Sequence, residues 1–155
     1  MVYARQGGLE MGKARFIDTP ISESIAELLS KRSHRTLVLW AADCAERVLP
    51  YFEEKYPKDN RPRKAIEAGR AWVRGEIALS EARTAAFAAH AAARDTNQDA
   101  ACAAGRAAGH AAATAHVAGH AVHASTYAAK AASCSADTSK ERNWQFQRLL
   151  DLEDH

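Results

Sequence analysis

The sequence predicts an all-α protein of about six or seven helices packed around one central helix or helix pair. Three observations carry that expectation. Apolar residues recur at helical spacing along most of the chain, and Ser, Asp and Pro stand where helices would begin. No stretch alternates β-branched and polar residues as a strand does. The segment from Asp99 to Ala132, DAACAAGRAAGHAAATAHVAGHAVHASTYAAKAA, is mostly Ala, Gly, His and Thr, with no formal charge between Arg106 and Lys130. A segment so small-sided and so poor in charge belongs in the middle of a bundle.

The elements follow in order. Residues 1–17 read as an irregular lead-in, broken by Gly7, Gly8 and Gly12, with Phe16 and Ile17 expected to anchor it. Residues 18–155 read as one helical domain. Asp18-Thr19-Pro20 is a helix start, and Ile21, Ile25, Leu28 and Leu29 form one face of the helix that follows. Ser33 caps a second helix whose centre, TLVLWAADCAERVL, is apolar on nearly every side and so is expected to be buried. Pro50 should kink that helix or begin a new one. Pro62 starts a third, with a stripe of Ala65, Ile66, Gly69, Trp72 and Val73 and a stop at Gly75. Ser80 is the expected cap of a fourth helix reaching about Arg94.

Asp95-Thr96-Asn97 separates the fourth helix from the Ala-rich segment. As one helix that segment would run roughly 50 Å at about 1.5 Å per residue, so a break near Gly105–Thr114 is expected. Gly105 and Gly109 are spaced to admit a neighbouring backbone, and Trp40, Trp72, Phe87 and Trp144 would supply the missing bulk. Ser139 caps the last helix, which carries Trp144, Phe146, Leu149 and Leu150.

Composition narrows the function classes. The chain has 155 residues, 47% hydrophobic and 26% charged, with a net charge of +2. That suits an ordinary globular domain and not a disordered chain. A charge so near neutrality points to neither nucleic acid nor an anionic membrane as partner, and weighs against a DNA mimic, which would need a strongly acidic surface. The N-terminus lacks the apolar run of a signal peptide. Residues 107–129 are uncharged but too poor in Leu, Ile and Phe to span a membrane. Cys44, Cys102 and Cys134 are widely spaced without a CxxC, which fits free thiols in the cytoplasm.

Candidate chemistry gathers in two places. On a continuous helix, His116, His120 and His123 share a face, and His116/His120 has the i, i+4 spacing by which two imidazoles hold a divalent transition metal such as zinc. His123, His90 or Cys102 could add a third ligand. Against a metal, no Asp or Glu lies between Ala100 and Ala136 to ligate it or to orient an imidazole. The preferred expectation is that the histidines are neutral rings filling interhelical gaps, with no cofactor. The second place is a structural polar cluster: Asp43, Glu46 and Arg47 on the second helix, with Arg70 and Arg106 as partners from other helices. Gly-rich phosphate loops, nucleophile elbows and paired catalytic carboxylates are missing, so no catalytic residue is assigned. Cys44 reads as inert packing. The basic run Arg61, Arg63, Lys64, Arg70 and Arg74 reads as a solvated face that could meet an acidic partner.

Several linked blocks carry a resemblance: LWAADCAERVLP, RPRKAIEA, EARTAAFAAHAAAR, HAAATAHVAGHA and the closing ERNWQFQRLL. Over roughly Ser33 to Leu150 the chain resembles a family of small helical proteins of bacteria and archaea described as immunity proteins. They are placed by analogy among the antitoxins of polymorphic toxin systems. The resemblance implies a cytoplasmic, non-enzymatic protein that binds a cognate toxin, and it carries over no ligand or catalytic residue. Immunity proteins that cover nucleases are often acidic, so this near-neutral chain points away from a nuclease target. Two alternatives differ in class: a metal-binding or metalloenzyme bundle built on His116 and His120, and a structural homo-oligomer packed through its Ala/Gly face.

Overall fold

Helix punctuation falls close to where the sequence places it in the computed structural model, which describes residues 16–154. Among the described residues there are seven helices and no strand: α1 (Ile21–Leu29), α2 (His34–Glu53), α3 (Arg61–Val73), α4 (Leu79–Arg94), α5 (Asp99–Ala113), α6 (His120–Ser133) and α7 (Thr138–Asp151). The Ser33 hydroxyl accepts from the Thr36 amide and caps α2. Arg61 and Pro62 open α3, where the proline's missing N–H leaves no bond unmade. Gly75, at φ +75°, closes it, and the Glu76 amide turns back to the Ala71 carbonyl.

Four expectations need correction. Pro50 does not end α2. It sits in the final turn, and the helix continues to Glu53 because buried Phe52 anchors that turn and the Glu54 amide bonds the Pro50 carbonyl. The fourth helix begins at Leu79, so Ser80 is already inside it. Glu81 fixes the start by accepting from the Ala78 amide at 3.0 Å, the reciprocal half of a capping box. Asp137, not Ser139, caps α7, accepting from the Ser139 amide at 2.9 Å. The break in the Ala-rich segment lies at residues 114–119, later than expected, so it becomes the antiparallel-packed pair α5 and α6.

Ala-rich α5 is the hub. It packs against α2, α3, α4 and α6, while α1 lies outside on α7. Residues Ala101, Ala104, Ala107, Ala108, Ala111 and Ala112 are all buried, so their methyls and not long chains set the spacing to the neighbours. A Cβ added at Gly105 would meet the Ala93 Cβ at 3.1 Å and its Cα at 3.3 Å, so α4 backbone lies directly against this glycine. Gly109, one turn on, lies under the His90 ring: an added Cβ would come within 2.6 Å of it. The anticipated close approach is thus to α4. Bulk comes from α2, whose Trp40 is fully buried and donates its indole N–H to the Gln145 carbonyl at 2.9 Å. Phe87 does not contribute, being 64% exposed, and Ile17 at 76% does not anchor the lead-in. The rest of that lead-in, residues 1–15, lies outside the described residues.

One polar network was not anticipated. Arg142 on α7 is only 2% exposed. Its guanidinium forks onto Asp18 at 2.9 and 2.6 Å, and also donates to Ser125, Thr126 and Gln145. These bonds tie the approach to α1 to α6 and α7.

Two stability outcomes follow from this packing. Gly105→Ala gains about 1 kcal/mol of helix propensity but forces α4 and α5 apart, an overpacking that costs about 1–3 kcal/mol. The expected net loss is about 1 kcal/mol in a urea titration, and a stabilised variant would refute the close approach. Asp18→Ala strands a buried guanidinium and should cost about 2–4 kcal/mol. Arg148→Ala, which removes a partly exposed pair, should cost about 1 kcal/mol or less.

Candidate functional site

The helix break decides where the histidines go. His116 falls in the turn between α5 and α6 and is exposed, so it does not share a helix with His120. His120 opens α6, and His123 follows one turn later, exposed. His110 of α5, which does not share the face of His116, His120 and His123 on a continuous helix, is the centre of the group. Its Nδ1 lies 2.9 Å from Nδ1 of His120. Its ring stacks on Tyr127 with 9° between planes, and the His90 ring meets it edge-on, centroids 4.8 Å apart. His123 lies 5.3 Å from it, centroid to centroid. From the other side Arg106 reaches His90, Nη1 to Nδ1, at 3.3 Å.

Helix pitch explains the grouping. Arg106 and His110 are i, i+4 on α5, and His120, His123 and Tyr127 are i, i+3 and i+7 on α6, so each set shares one helix face. Antiparallel packing sets the two rows side by side, and His90 of α4 lies over Gly109 because only glycine leaves room for its ring. Spacing within one helix could not reveal His90 and His110 as partners, since their contact depends on how α4, α5 and α6 pack.

No carboxylate enters this group, and its electrostatics follow. Burial, reinforced by the Arg106 charge and by His120 and Arg94, pushes His90 down to about 4. Burial and the surrounding imidazoles push His110 to about 3. His120 is lowered for the same reasons, burial first and then His123 and His116. The facing Nδ1 atoms of His110 and His120 add a steric reason: one must donate and the other accept, so charging both turns two N–H groups on each other. At neutral pH these rings are neutral. Among the described residues, no group of three or more His, Cys, Asp or Glu side chains is arranged to hold a metal ion.

The polar cluster takes a different shape from the one expected. Arg70 bridges Asp43 and Glu46, both at 2.7 Å, and Arg148 of α7 takes the other Asp43 oxygen at 2.8 Å. Arg47 turns from its i+4 partner Asp43 to Glu141 at 3.1 Å, and its guanidinium lies 4.5 Å over Trp144. Arg106 is not with these carboxylates. It lines a groove between α5 and α6 with Tyr127, Lys130 and Phe16. The basic run of α3 is also internally matched: Arg61 pairs with Asp59 and Asp95, Arg63 with Glu53, and Arg74 with Glu76. Cys44 is buried, and burial pushes its thiol up, which fits inert packing.

A pH dependence follows from the suppressed imidazoles. Their folded values lie below the unfolded value of about 6.5, so the unfolded chain binds more protons below that pH. Stability should be level above about pH 7.5 and fall as pH drops from 6.5 toward 4. Discounting for solvent around half-exposed rings, the loss by pH 5 should be about 1–2 kcal/mol. His110→Asn should reduce that loss. Urea midpoints unchanged between pH 8 and pH 5 would contradict it.

Comparison with known proteins bears on the whole helical body. Among the described residues, no helix is long and apolar enough to cross a membrane. No curated protein and no solved structure matches the chain. Residues 27–152, from within α1 to just beyond α7, match the model of the Imm-5 like putative immunity protein family. The chain belongs to that family.

Proposed function

We propose that this protein is a non-enzymatic immunity module that neutralises a cognate toxin by binding it. The observation that carries this reading is the family match across 27–152, which takes in nearly the whole bundle and not one motif. The surface offers a suitable contact. On the outer side of α4, α5 and α6, aromatic and cationic side chains gather: exposed Phe87, then His90, Arg106, His123, Tyr127 and Lys130. Aromatic and Arg side chains are the groups most often responsible for protein–protein binding energy. The basic run of α3, which could also meet an acidic partner, and Arg148 of α7 hold guanidiniums already engaged with the protein's own carboxylates.

The test is protection in cells. Each candidate toxin encoded near this gene is expressed from a repressible promoter, with and without this chain. The expected outcome is restored growth, together with a toxin complex of defined mass by size-exclusion chromatography and light scattering. Loss of growth despite full expression of this chain would overturn the reading. So would a self-associated particle that leaves the toxin unbound, which would favour the structural oligomer instead.

A further inference from the structure

Charge is unevenly distributed over this bundle. Among the described residues, the ion pairs use arginines of α2, α3 and α7 and Arg74 just after α3. None of those pairs uses Arg94, Arg106 or Lys130. Arg106 reaches the neutral His90 ring, and the Lys130 ammonium lies 5.0 Å over Tyr127 and 6.0 Å over Phe16. These two cations and two aromatic rings line one groove of about 400 Å³ between α5 and α6. A single carboxylate shares the groove, Asp99 in the first turn of α5, where the helix N-terminus itself favours an anion. No acidic residue follows it until Asp137.

We propose that the α5–α6 groove is the docking site for an acidic segment of the protein partner, whose carboxylates pair with Arg106 and Lys130 while its chain packs on Tyr127 and Phe16. The proposal rests on the binding role argued above and adds the partner's chemistry. Charge complementarity selects the occupant. Arg106 and Lys130, which lie against rings and outnumber the one carboxylate of the groove, gain more from an incoming carboxylate than a matched surface pair does. The rings restrict where the cations sit, so less side-chain freedom is lost on binding. Tyr127 is itself held by the stacked His110 ring, so the floor of the groove is fixed before a partner arrives.

A blocked hexaglutamate peptide serves as the probe, with a dT oligonucleotide of equal charge as its counterpart. Titrated into 15N-labelled full-length protein at low salt, the peptide should shift the signals of Arg106, Tyr127 and Lys130. It should bind at least fivefold more weakly to Lys130→Gln, a substitution at a half-exposed position that leaves the fold intact. Arg106→Gln should weaken it similarly, with circular dichroism confirming the helices. Shifts elsewhere, equal binding by Lys130→Gln, or tighter binding of the oligonucleotide at the same residues would each overturn the proposal. The toxin-protection assay separates this inference from the one beneath it. If Lys130→Glu protects cells as well as the parent chain does, the acidic dock falls and the immunity role stands.

Discussion

The structure depends on how little side-chain volume α5 carries. A hub helix built of Ala and Gly cannot hold its neighbours at the usual distance. α4 therefore comes down until the Ala93 backbone touches Gly105, and α3 brings Gly69 to 3.6 Å from the Ala111 carbonyl, measured from where a Cβ would stand. Close approach raises the number of van der Waals contacts per residue, which offsets the small hydrophobic area of each methyl. It also leaves the hub's own long side chains, Arg106 and His110, at its edge. Bulk that the hub lacks is concentrated on α2, where Trp40, Leu49 and Phe52 are buried and the helix ends only after Pro50.

The rim divides into two kinds of surface. On α2, α3 and α7, guanidiniums meet carboxylates from other helices, and Arg142 is drawn fully inside to bind Asp18. These pairs set the register between helices more than they add stability, since partly exposed ion pairs contribute about 1 kcal/mol or less. On α5 and α6, Arg106 and Lys130 meet rings instead. Glycine makes this second surface possible. Gly109 leaves the space that His90 fills, and His90 brings Arg106 and His110 into one array. Close helix packing and the imidazole group therefore share a cause.

Much of the fold was legible because helix punctuation is local. Ser33, Pro62 and Gly75 do what their chemistry prescribes whatever surrounds them. The competing caps were harder to rank. Ser80 and Ser139 are good cap residues, yet Glu81 and Asp137 reach the free amides first and move each start by one or two positions. The break between α5 and α6 was placed too early, because it was inferred from the length of the segment, whereas Gly105 and Gly109 act as the contact points that their spacing suggests. The site was less legible than the fold. His120 and His123 were correctly set near each other, but His90 and His110 join them only through packing across three helices. Arg106 was matched to distant carboxylates on charge alone, and its helix phase turns it toward His90 instead.

Holding several imidazoles together without a carboxylate works against stability once the pH falls below 6.5, and an Asp or Glu beside them would remove that weakness. A purely structural requirement for space-filling rings would be met as well by Phe or Leu, which carry no such liability. Keeping His90, His110 and Arg106 together with no carboxylate among them fits a surface whose further carboxylates are supplied from outside. Buried hydrogen-bonded charge pairs discriminate strongly between partners, because a partner without the matching charge leaves a cation desolvated and unanswered. The narrow Ala-rich hub then has a role beyond packing: it sets α4, α5 and α6 close enough for Arg106, Tyr127 and Lys130 to be presented as one rigid surface.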